Sequence, residues 1–413
     1  MHLKKLKMQF LYEVILKKKL LGILVLGLLW CGGANANEKK VFYAGFSFSG
    51  NYIDKSVGIK YTNSLIEIKN ENGLDIISAS LLKTIKRSKP KSFKIDFNFA
   101  DLNKGLEESV VMAVVLDHED YFYEYEPISK TYLNNIQMFF QIIFYDFKSK
   151  KLIAAIPYDV SMPFFTKKEL NENEIKKYIE TFYTKGLKSM DNNETINAFT
   201  KVEDILNNFE LKEKYQFRIG VTSIKFEEKS LSSIPDIYKK NLKFLENIFA
   251  QLFSSRLSLH NDVALVPYTE GIAIGAKMKQ QFVNSDIIYD IELPKPDFNI
   301  EINIRGFKKV LAKKSDVNNI FFWASFINLK VFQPELNKIY MDDNLKNVIK
   351  KSIPSQIENI NDWYKFYITT YELFDGFSIN INEINSEWLN KTNDTSEFKI
   401  NMKSLKNLMV KLK

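Results

Sequence analysis

Two kinds of hydrophobic pattern follow one another in both halves of this chain. Phe93, Ile95, Phe97 and Phe99 alternate with polar residues, which is typical of a half-buried strand. After Pro235 an apolar stripe recurs at helical spacing instead. Its members are Tyr238, Leu242, Leu245, Phe249 and Leu252. Segments of both kinds within one chain predict an α+β fold.

The two halves show the same succession of predicted elements. The first half spans residues 40–186 and the second 215–377, and each has the order strand, helix, strand, two long strands, returning strand and helix. A polar turn precedes each returning strand, at residues 148–151 and 333–338. We therefore predict two sequential domains of related β-α-β-β-β-α topology. Their sheets are expected to be mostly antiparallel or mixed, with helices packed on one face.

These patterns set the predicted boundaries: an export leader at 1–36, a first domain at 37–186, a helical linker at 187–214, a second domain at 215–379, and a C-terminal segment at 380–413. That last segment ends in a basic amphipathic helix. Its apolar residues are Met402, Leu405, Leu408, Met409 and Leu412. Such a helix lies on an anionic membrane, docks on a partner or packs on its own domain. We expect the last of these, with peripheral membrane contact as the alternative.

The amino terminus has the three parts of a secretory signal. Lysines at 17–19 precede an apolar run at 20–30, and small residues including Ala34 and Ala36 follow. The run has about 11 residues, whereas a membrane span needs about 20. We predict signal cleavage after Ala36, which gives a periplasmic or secreted protein. The segment before Lys17 is long for such a leader, so a start further along the chain stays open.

Cys31 is the single cysteine of the chain. Lipid attachment to it is one alternative, but lipoprotein processing favours a small residue just before the cysteine, and here that residue is Trp30. If Cys31 is removed with the leader, the mature chain contains no cysteine and forms no disulfide. Packing alone then stabilises the fold.

The net charge argues against nucleic-acid binding. The formal charge is +8. Six lysines and one acidic residue lie before residue 37, so the remainder carries about +3. Only four basic residues are arginines, the type whose planar fork reads phosphates and guanine edges. We expect no nucleic-acid partner.

A resemblance to a known group of proteins rests on one strand and its return. Residues 137–146 form an apolar strand ending in Asp146, and a polar turn and a returning strand follow at 148–157. This resembles the small envelope domains of the curli secretion subunit, the periplasmic flagellar-ring assembly protein and the amino-terminal domain of the Tol-system periplasmic protein. The segment 328–340 repeats the form but lacks the aspartate and the turn glycine, and Ser149 replaces that glycine in the first half. The resemblance covers about two thirds of the mature chain and implies envelope assembly or interaction without catalysis.

Residues suited to metal or nucleophilic chemistry are scarce. Outside the leader the only histidines are His118 and His260, which leaves no ligand set for zinc and no nucleophile–histidine pair, so we predict no metal and no cofactor. His260 is expected at a helix end, where its charge meets the helix dipole. The densest ionisable run is residues 117–120, Asp-His-Glu-Asp. We interpret it as a polar hairpin turn, with cation binding or acid–base chemistry as the alternative.

A glycine-containing turn after a predicted strand is the candidate ligand site. It contains Tyr268, Gly271 and Gly275. The spacing from glycine to Lys277 does not match a nucleotide-binding loop, so backbone turning is the first expectation. Should a small ligand bind, we expect it near these three residues.

Together these patterns favour an exported, non-enzymatic envelope protein that acts by protein–protein contact with partners of unknown identity. A secreted hydrolase using carboxylates is one alternative, and a small-molecule or glycan-binding protein is another. Carboxylates in a cleft favour the hydrolase, exposed aromatic side chains favour glycan binding, and a flat apolar patch or open sheet edge favours assembly.

Overall fold

A computed structural model describes residues 39–413 except 50–57, 99–108, 127–128, 191–192, 270–275, 284–287, 358–359 and 394. Residues Lys40–Lys413 form one compact unit. The predicted leader, with Ala34, Ala36 and Cys31, lies outside the described residues.

The first half of the unit contains seven described strands and four described helices. The strands are β1 Lys39–Ser49, β2 Phe93–Asp96, β3 Val110–Glu126, β4 Thr131–Asp146, β5 Leu152–Thr166, β6 Leu187–Lys188 and β7 Thr195–Ile196. The helices are α1 Lys60–Leu65, α2 Ile76–Arg87, α3 Glu172–Thr184 and α4 Thr200–Asn208.

The second half contains a second set of strands and the longest helices. The strands are β8 Ile219–Phe226, β9 Leu265–Val266, β10 Lys277–Phe282, β11 Ile288–Glu292, β12 Phe298–Lys313, β13 Asn318–Gln333 and β14 Lys338–Pro354. The helices are α5 Glu228–Leu231, α6 Asp236–Lys239, α7 Leu242–Asn261, α8 Asp362–Asn382, α9 Ser386–Thr392 and α10 Ser396–Leu412. This composition confirms the α+β class.

Seven of the described strands form the first sheet. β1 is parallel to β3, and β3, β4 and β5 continue as antiparallel neighbours. On its other side β1 pairs with β10, where Ser47 lies opposite Phe282, and β11 pairs with β10. β2 also pairs with β1. The hairpin of β10 and β11 falls within the predicted second domain, so the second half of the chain contributes strands to the first sheet.

Among the described residues, five strands form the second sheet, in the order β14-β13-β12-β8-β9. β8 is parallel to β12, and β12, β13 and β14 are antiparallel neighbours. Phe298, Ile300, Ile302 and Ile304 of β12 are buried while the residues between them are partly exposed. One face of this sheet therefore packs inward, as alternation along a strand requires. In both halves a parallel strand pair leads into a three-stranded antiparallel meander.

Helices cover the first sheet on both faces. Helices α1 to α4 pack on one face and share a core with it that includes Leu81, Phe182 and Val202. Val202 belongs to the predicted linker, so that segment is part of this core. Helix α7 packs on β5 and β8, and α8 packs on α7, β13 and β14. Helices α7 and α8 thus lie between the two sheets. The apolar side of α10 is buried in the same core, as predicted.

Local sequence signals explain where several elements begin. Asp75 accepts a hydrogen bond from the Ser78 backbone N–H and starts α2, while Asn171 and Glu174 form a reciprocal capping box at α3. Gly45 lies at an irregularity in the pairing of β1 with β3 and has φ +115°, a conformation that side-chain-bearing residues rarely adopt. The glycine allows the strand to continue past this point.

Replacing Phe374 by alanine is expected to destabilise the fold by about 3–5 kcal/mol, because a buried ring is lost from a packed core. The ring is fully buried between α8 and α7, with its centroid 5.2 Å from that of Phe253. Urea unfolding at equilibrium measures this loss. Ile400→Ala, at a position 66% exposed, is the matched control and should change the free energy of unfolding by less than about 0.5 kcal/mol. Equal effects of the two substitutions would contradict the assigned core.

Candidate functional site

The ionisable run at 117–120 lies in the middle of β3 rather than at a turn. The strand continues unbroken from Val110 to Glu126, so the hairpin-turn interpretation is wrong. All four side chains are buried or nearly so. Pairing with β4 shifts register between Leu116 and His118, which makes Asp117 the extra residue of a β-bulge. The bulge reverses which residues of β3 face each side of the sheet.

Glu119 faces helices α1 and α3. Its Oε1 accepts hydrogen bonds from the backbone N–H groups of Tyr61 (2.5 Å) and Thr62 (2.9 Å), and its Oε2 accepts one from Thr62 Oγ1 at 2.6 Å. Thr62 Oγ1 also contacts the Tyr183 hydroxyl at 2.9 Å. Burial raises the pKa of Glu119 to about 7, although these hydrogen bonds act in the lowering direction. The carboxyl group links β3 to α1 and α3.

Asp117 is held in the same way on the bulge. It accepts hydrogen bonds from Ser49 and from Gln141 Nε2, the latter at 2.9 and 2.8 Å to its two oxygens. Burial raises its pKa to about 6, against the lowering effect of both partners. Both carboxyl groups are thus occupied by internal donors, which is the usual condition for burying such groups.

His118 and Asp120 face the opposite side, toward α7 and α8. His118 Nε2 lies 3.5 Å from Asp120 Oδ2, and neither ring nitrogen forms a hydrogen bond with a described residue. The imidazole stacks on Phe139 with ring centroids 4.2 Å apart, and Phe244 lies edge-on at 6.2 Å. Only 1% of His118 is exposed. Aromatic rings therefore cover the one histidine–carboxylate contact of the run.

A second ionic cluster joins β5 to α7 and α8. Arg256 of α7 forms ion pairs with Asp159 and, at 3.3 Å, with Asp375, and its guanidinium lies 5.1 Å from the centroid of Tyr371. His260 Nε2 contacts Asp375 Oδ1 at 2.8 Å. Burial would raise the pKa of Asp375, but the His260 hydrogen bond and the charge of Arg256 hold it below its ordinary value.

The residues around this second ionic cluster shield it from solvent. Lys201 donates a hydrogen bond to the Asp159 carbonyl at 2.8 Å, and burial lowers its pKa to about 8. His260 occupies the last turn of α7, as its position in the sequence predicts. The side chains of Asp159 and Arg256 are 1% and 6% exposed. The cluster fixes the position of α7 and α8 on the first sheet.

Of the predicted ligand-site residues, only Tyr268 lies among the described residues. It is partly buried and packs against the core shared by α7, α8 and the second sheet. Gly271 and Gly275 lie outside the described residues. Thr269 Oγ1, next to Tyr268, is buried without a hydrogen bond to a described residue.

A partly exposed group of tyrosines lies at the end of the first sheet, and sequence reasoning missed it. We call it the tyrosine patch, and its members are Tyr121, Tyr123, Tyr125 and Tyr132. Tyr125 pairs directly with Tyr132 across β3 and β4, with ring centroids 5.0 Å apart. Tyr123 lies 6.1 Å from Tyr121 and 6.3 Å from Tyr132. Tyr123 and Tyr125 are 42% and 45% exposed.

Helix α3 packs on β5 beside the tyrosine patch. Tyr178 of α3 stacks on Phe164 of β5, with ring centroids 4.5 Å apart. Phe164 lies in the same row of the sheet as Asn134 and Tyr123, and Tyr125 and Tyr132 lie two rows further toward the end of the sheet. Polar groups border the tyrosine patch: Tyr121 donates a hydrogen bond to Asn134, and a hydrogen bond to Glu169 is the main cause of the raised pKa of Tyr123. A repeat of tyrosine at every second position, from 121 to 125, was the available sequence signal.

Comparison with known proteins does not assign the chain to a family. The chain matches no protein-family model, and no curated protein sequence matches it.

Across the described residues, no group of three or more histidine, cysteine or carboxylate side chains is arranged to hold a metal ion. Within the same ranges, none of the helices combines the length and apolar content needed to cross a bilayer.

Replacing Glu119 by glutamine is expected to make stability less dependent on pH. Because the pKa of Glu119 rises from 4.5 to about 7 on folding, the folded chain binds more protons in that range, and stability falls as the pH rises through 7. Glutamine keeps the acceptor for Tyr61 and Thr62 without the charge. The free energy of unfolding of the variant relative to the parent should therefore rise by roughly 2–3 kcal/mol between pH 5 and pH 8. Urea titrations at several pH values measure the difference, and a constant difference would contradict it.

Removing the guanidinium of Arg256 is expected to cost about 3–5 kcal/mol, because Asp159 then remains buried without its partner. Arg256→Met keeps most of the side-chain volume, so cavity formation contributes little. The double variant Arg256→Met/Asp159→Asn should recover part of the loss, and a double-mutant cycle in urea measures the recovery. Strictly additive losses would show that the two groups do not interact.

Proposed function

We propose that this chain is an exported envelope protein that acts by contact with another protein and not by catalysis. The tyrosine patch is the observation that carries the proposal. Contiguous exposed aromatic side chains on a soluble fold mark interaction sites, and tyrosine is enriched in the centres of protein interfaces. Export to the periplasm or beyond follows from the leader pattern at residues 17–36.

The state of the buried ionisable groups supports the non-catalytic part of the proposal. Asp117 and Glu119 each accept several hydrogen bonds from within the protein, and Arg256 is paired with Asp159 and Asp375. A general acid or base must reach the proton it transfers. In the described residues these groups instead connect strands to helices or, for Asp117, to neighbouring strands.

We also propose that the two halves arose by internal duplication and that they belong with the periplasmic assembly domains they resemble. The parallel pair followed by an antiparallel meander, present in both sheets, supports this. Such domains act by presenting surfaces to partners, which agrees with a role for the tyrosine patch.

Glycan binding is the second candidate, because the same tyrosine patch also suits it. The apolar face of a sugar ring packs on an aromatic ring, while hydroxyl, amide and carboxylate groups beside the rings bind the sugar hydroxyls. Glu169 supplies such a group beside Tyr123. Retention on insoluble polysaccharides that is lost on Tyr123→Ser would favour this candidate.

Site-specific photo-cross-linking in intact cells tests the protein-contact proposal. A photoreactive residue placed at 123 or 125 is expected to give discrete protein adducts in the periplasmic fraction. The control position is Ile400, which is 66% exposed and far outside the patch in sequence. Tyr125→Ser should lower the adduct yield from position 123 about 30-fold, since a tyrosine at the centre of an interface contributes about 2 kcal/mol.

Three results would contradict the proposal. Adducts of equal yield at 123 and 400 would show that the patch is not a preferred contact surface. Absence of adducts together with polysaccharide retention would favour the glycan candidate. Recovery of the unprocessed chain from the cytosol would exclude an envelope role.

A further inference from the structure

One end of the second sheet carries a strong local positive charge. We call it the basic sheet end, defined as residues 305–322, which include the β12–β13 turn, and residues 346–354 of β14. It contains eight lysine or arginine residues and one acidic residue, Asp316. Two of these eight are paired with acidic residues from outside it, Lys309 with Asp362 and Arg305 with Glu227. From residue 37 onward the chain carries about +3, so the remaining residues together carry about −4. Positive charge is therefore concentrated on this end of the sheet.

Exposed aliphatic side chains lie among these lysines. Val310, Leu311, Val317 and Val348 are 42%, 46%, 72% and 47% exposed. Val310 lies opposite Phe322, which lies opposite Lys350 on β14. In the neighbouring row, Lys308, Ala324 and Val348 lie side by side in the same way. The outward face thus combines apolar side chains with exposed ammonium groups.

The opposite face of the same strands is covered. Trp323, Ile349 and Ile353 pack with Phe366 of α8 in a small core of their own. Trp323 Nε1 donates a hydrogen bond to Asp362 at 2.9 Å, and Lys309 forms an ion pair with the same carboxylate at 2.8 Å. The basic sheet end is therefore held by α8 on one side and presents its other side to solvent.

We infer that the basic sheet end docks on an anionic lipid surface. Lysines on an edge strand can serve to prevent pairing with other sheets. That role does not explain why exposed valine and leucine side chains lie beside them. Peripheral membrane binding uses both features: charge attracts the protein to anionic headgroups, and apolar side chains enter the boundary between headgroups and acyl chains. Each lysine near such a surface strengthens binding about fivefold.

The type of cation favours lipid over nucleic acid or a specific acidic protein. Seven of the eight cations are lysines, and Arg305 is the exception. Lysine is a point charge without a fixed bidentate geometry, which suits a diffuse anionic surface. The inference is independent of the tyrosine patch, since it concerns different strands. It also assigns membrane contact to a surface other than α10, whose apolar side is buried.

Co-sedimentation with lipid vesicles tests the inference. The purified full-length protein is expected to bind vesicles of phosphatidylglycerol and phosphatidylcholine, and to bind pure phosphatidylcholine at least about tenfold more weakly. The variant Lys308→Glu/Lys313→Glu/Lys350→Glu should lose about 100-fold in affinity for the anionic vesicles. All proteins compared share residues 1–38, so differences among them do not arise from the leader.

The control is a triple variant with the same change in net charge. Lys83→Glu, Lys214→Glu and Lys403→Glu alter exposed lysines outside the basic sheet end and should change affinity by less than about threefold, because salt screens distant charges. A further variant, Val310→Ser/Val317→Ser, keeps the charge and should weaken binding about tenfold through loss of apolar contact. Circular dichroism and thermal unfolding confirm that each variant is folded.

Several outcomes would overturn the inference. These are equal binding to both vesicle types, equal losses in the two triple variants, and unchanged affinity in the valine variant. Tighter binding to polyglutamate or to single-stranded DNA than to anionic vesicles would assign the surface to an acidic macromolecule instead. None of these results bears on the tyrosine patch, so the proposed protein contact is tested separately.

Discussion

One extra residue in β3 determines how the two halves of this protein meet. Before the bulge at Asp117, odd-numbered residues such as Val115 face the side of the sheet away from α1 to α4; after it, even-numbered residues do. Phe122 therefore contacts Tyr364 and Tyr367 of α8, and Glu119 faces α1. The charged contacts between the halves, such as Lys365 with Glu124, depend on this arrangement. Buried ion pairs add little stability but disfavour other orientations of the packed layers.

The sequence predicts the elements whose hydrophobic period is regular. The stripe from Leu242 to Leu252 corresponds to α7, although its first member, Tyr238, lies in the separate helix α6. The alternation from Phe298 corresponds to β12. The prediction from sequence is wrong at residues 117–120. Burying four ionisable side chains is costly unless partners are present, so an exposed turn was expected there. The partners of Glu119 come from Thr62, 57 positions away, and no local pattern reveals them. The pairing of β10 with β1 is equally remote, since backbone hydrogen bonds between strands carry no sequence signal of their own.

The surfaces were harder to predict than the core, for a related reason. Aromatic residues at alternating positions indicate burial in most strands, and Tyr121 does pack against the first core. Tyr123 and Tyr125 continue the same pattern, yet both are exposed, since burial of a strand position depends on which other elements pack over it. Likewise, the lysines of β12 and β14 are distant in sequence and become one surface only through the register of β13. Tyr268 was singled out because of its glycine-containing turn, and it is partly buried against the core.

The hairpin of β10 and β11 comes late in the sequence but pairs with the first strand of the chain. Gln280 donates a hydrogen bond to Ser47, 233 positions earlier in the chain. The edge of β1 that pairs with β10 is therefore completed only after most of the polypeptide is available. Such long-range closure is slow, and an unpaired strand is prone to pairing with neighbouring molecules in the meantime. A ribosome or a translocation channel delivers the amino-terminal half first. Efficient production of this protein therefore depends on keeping its first strand shielded until the later segment arrives.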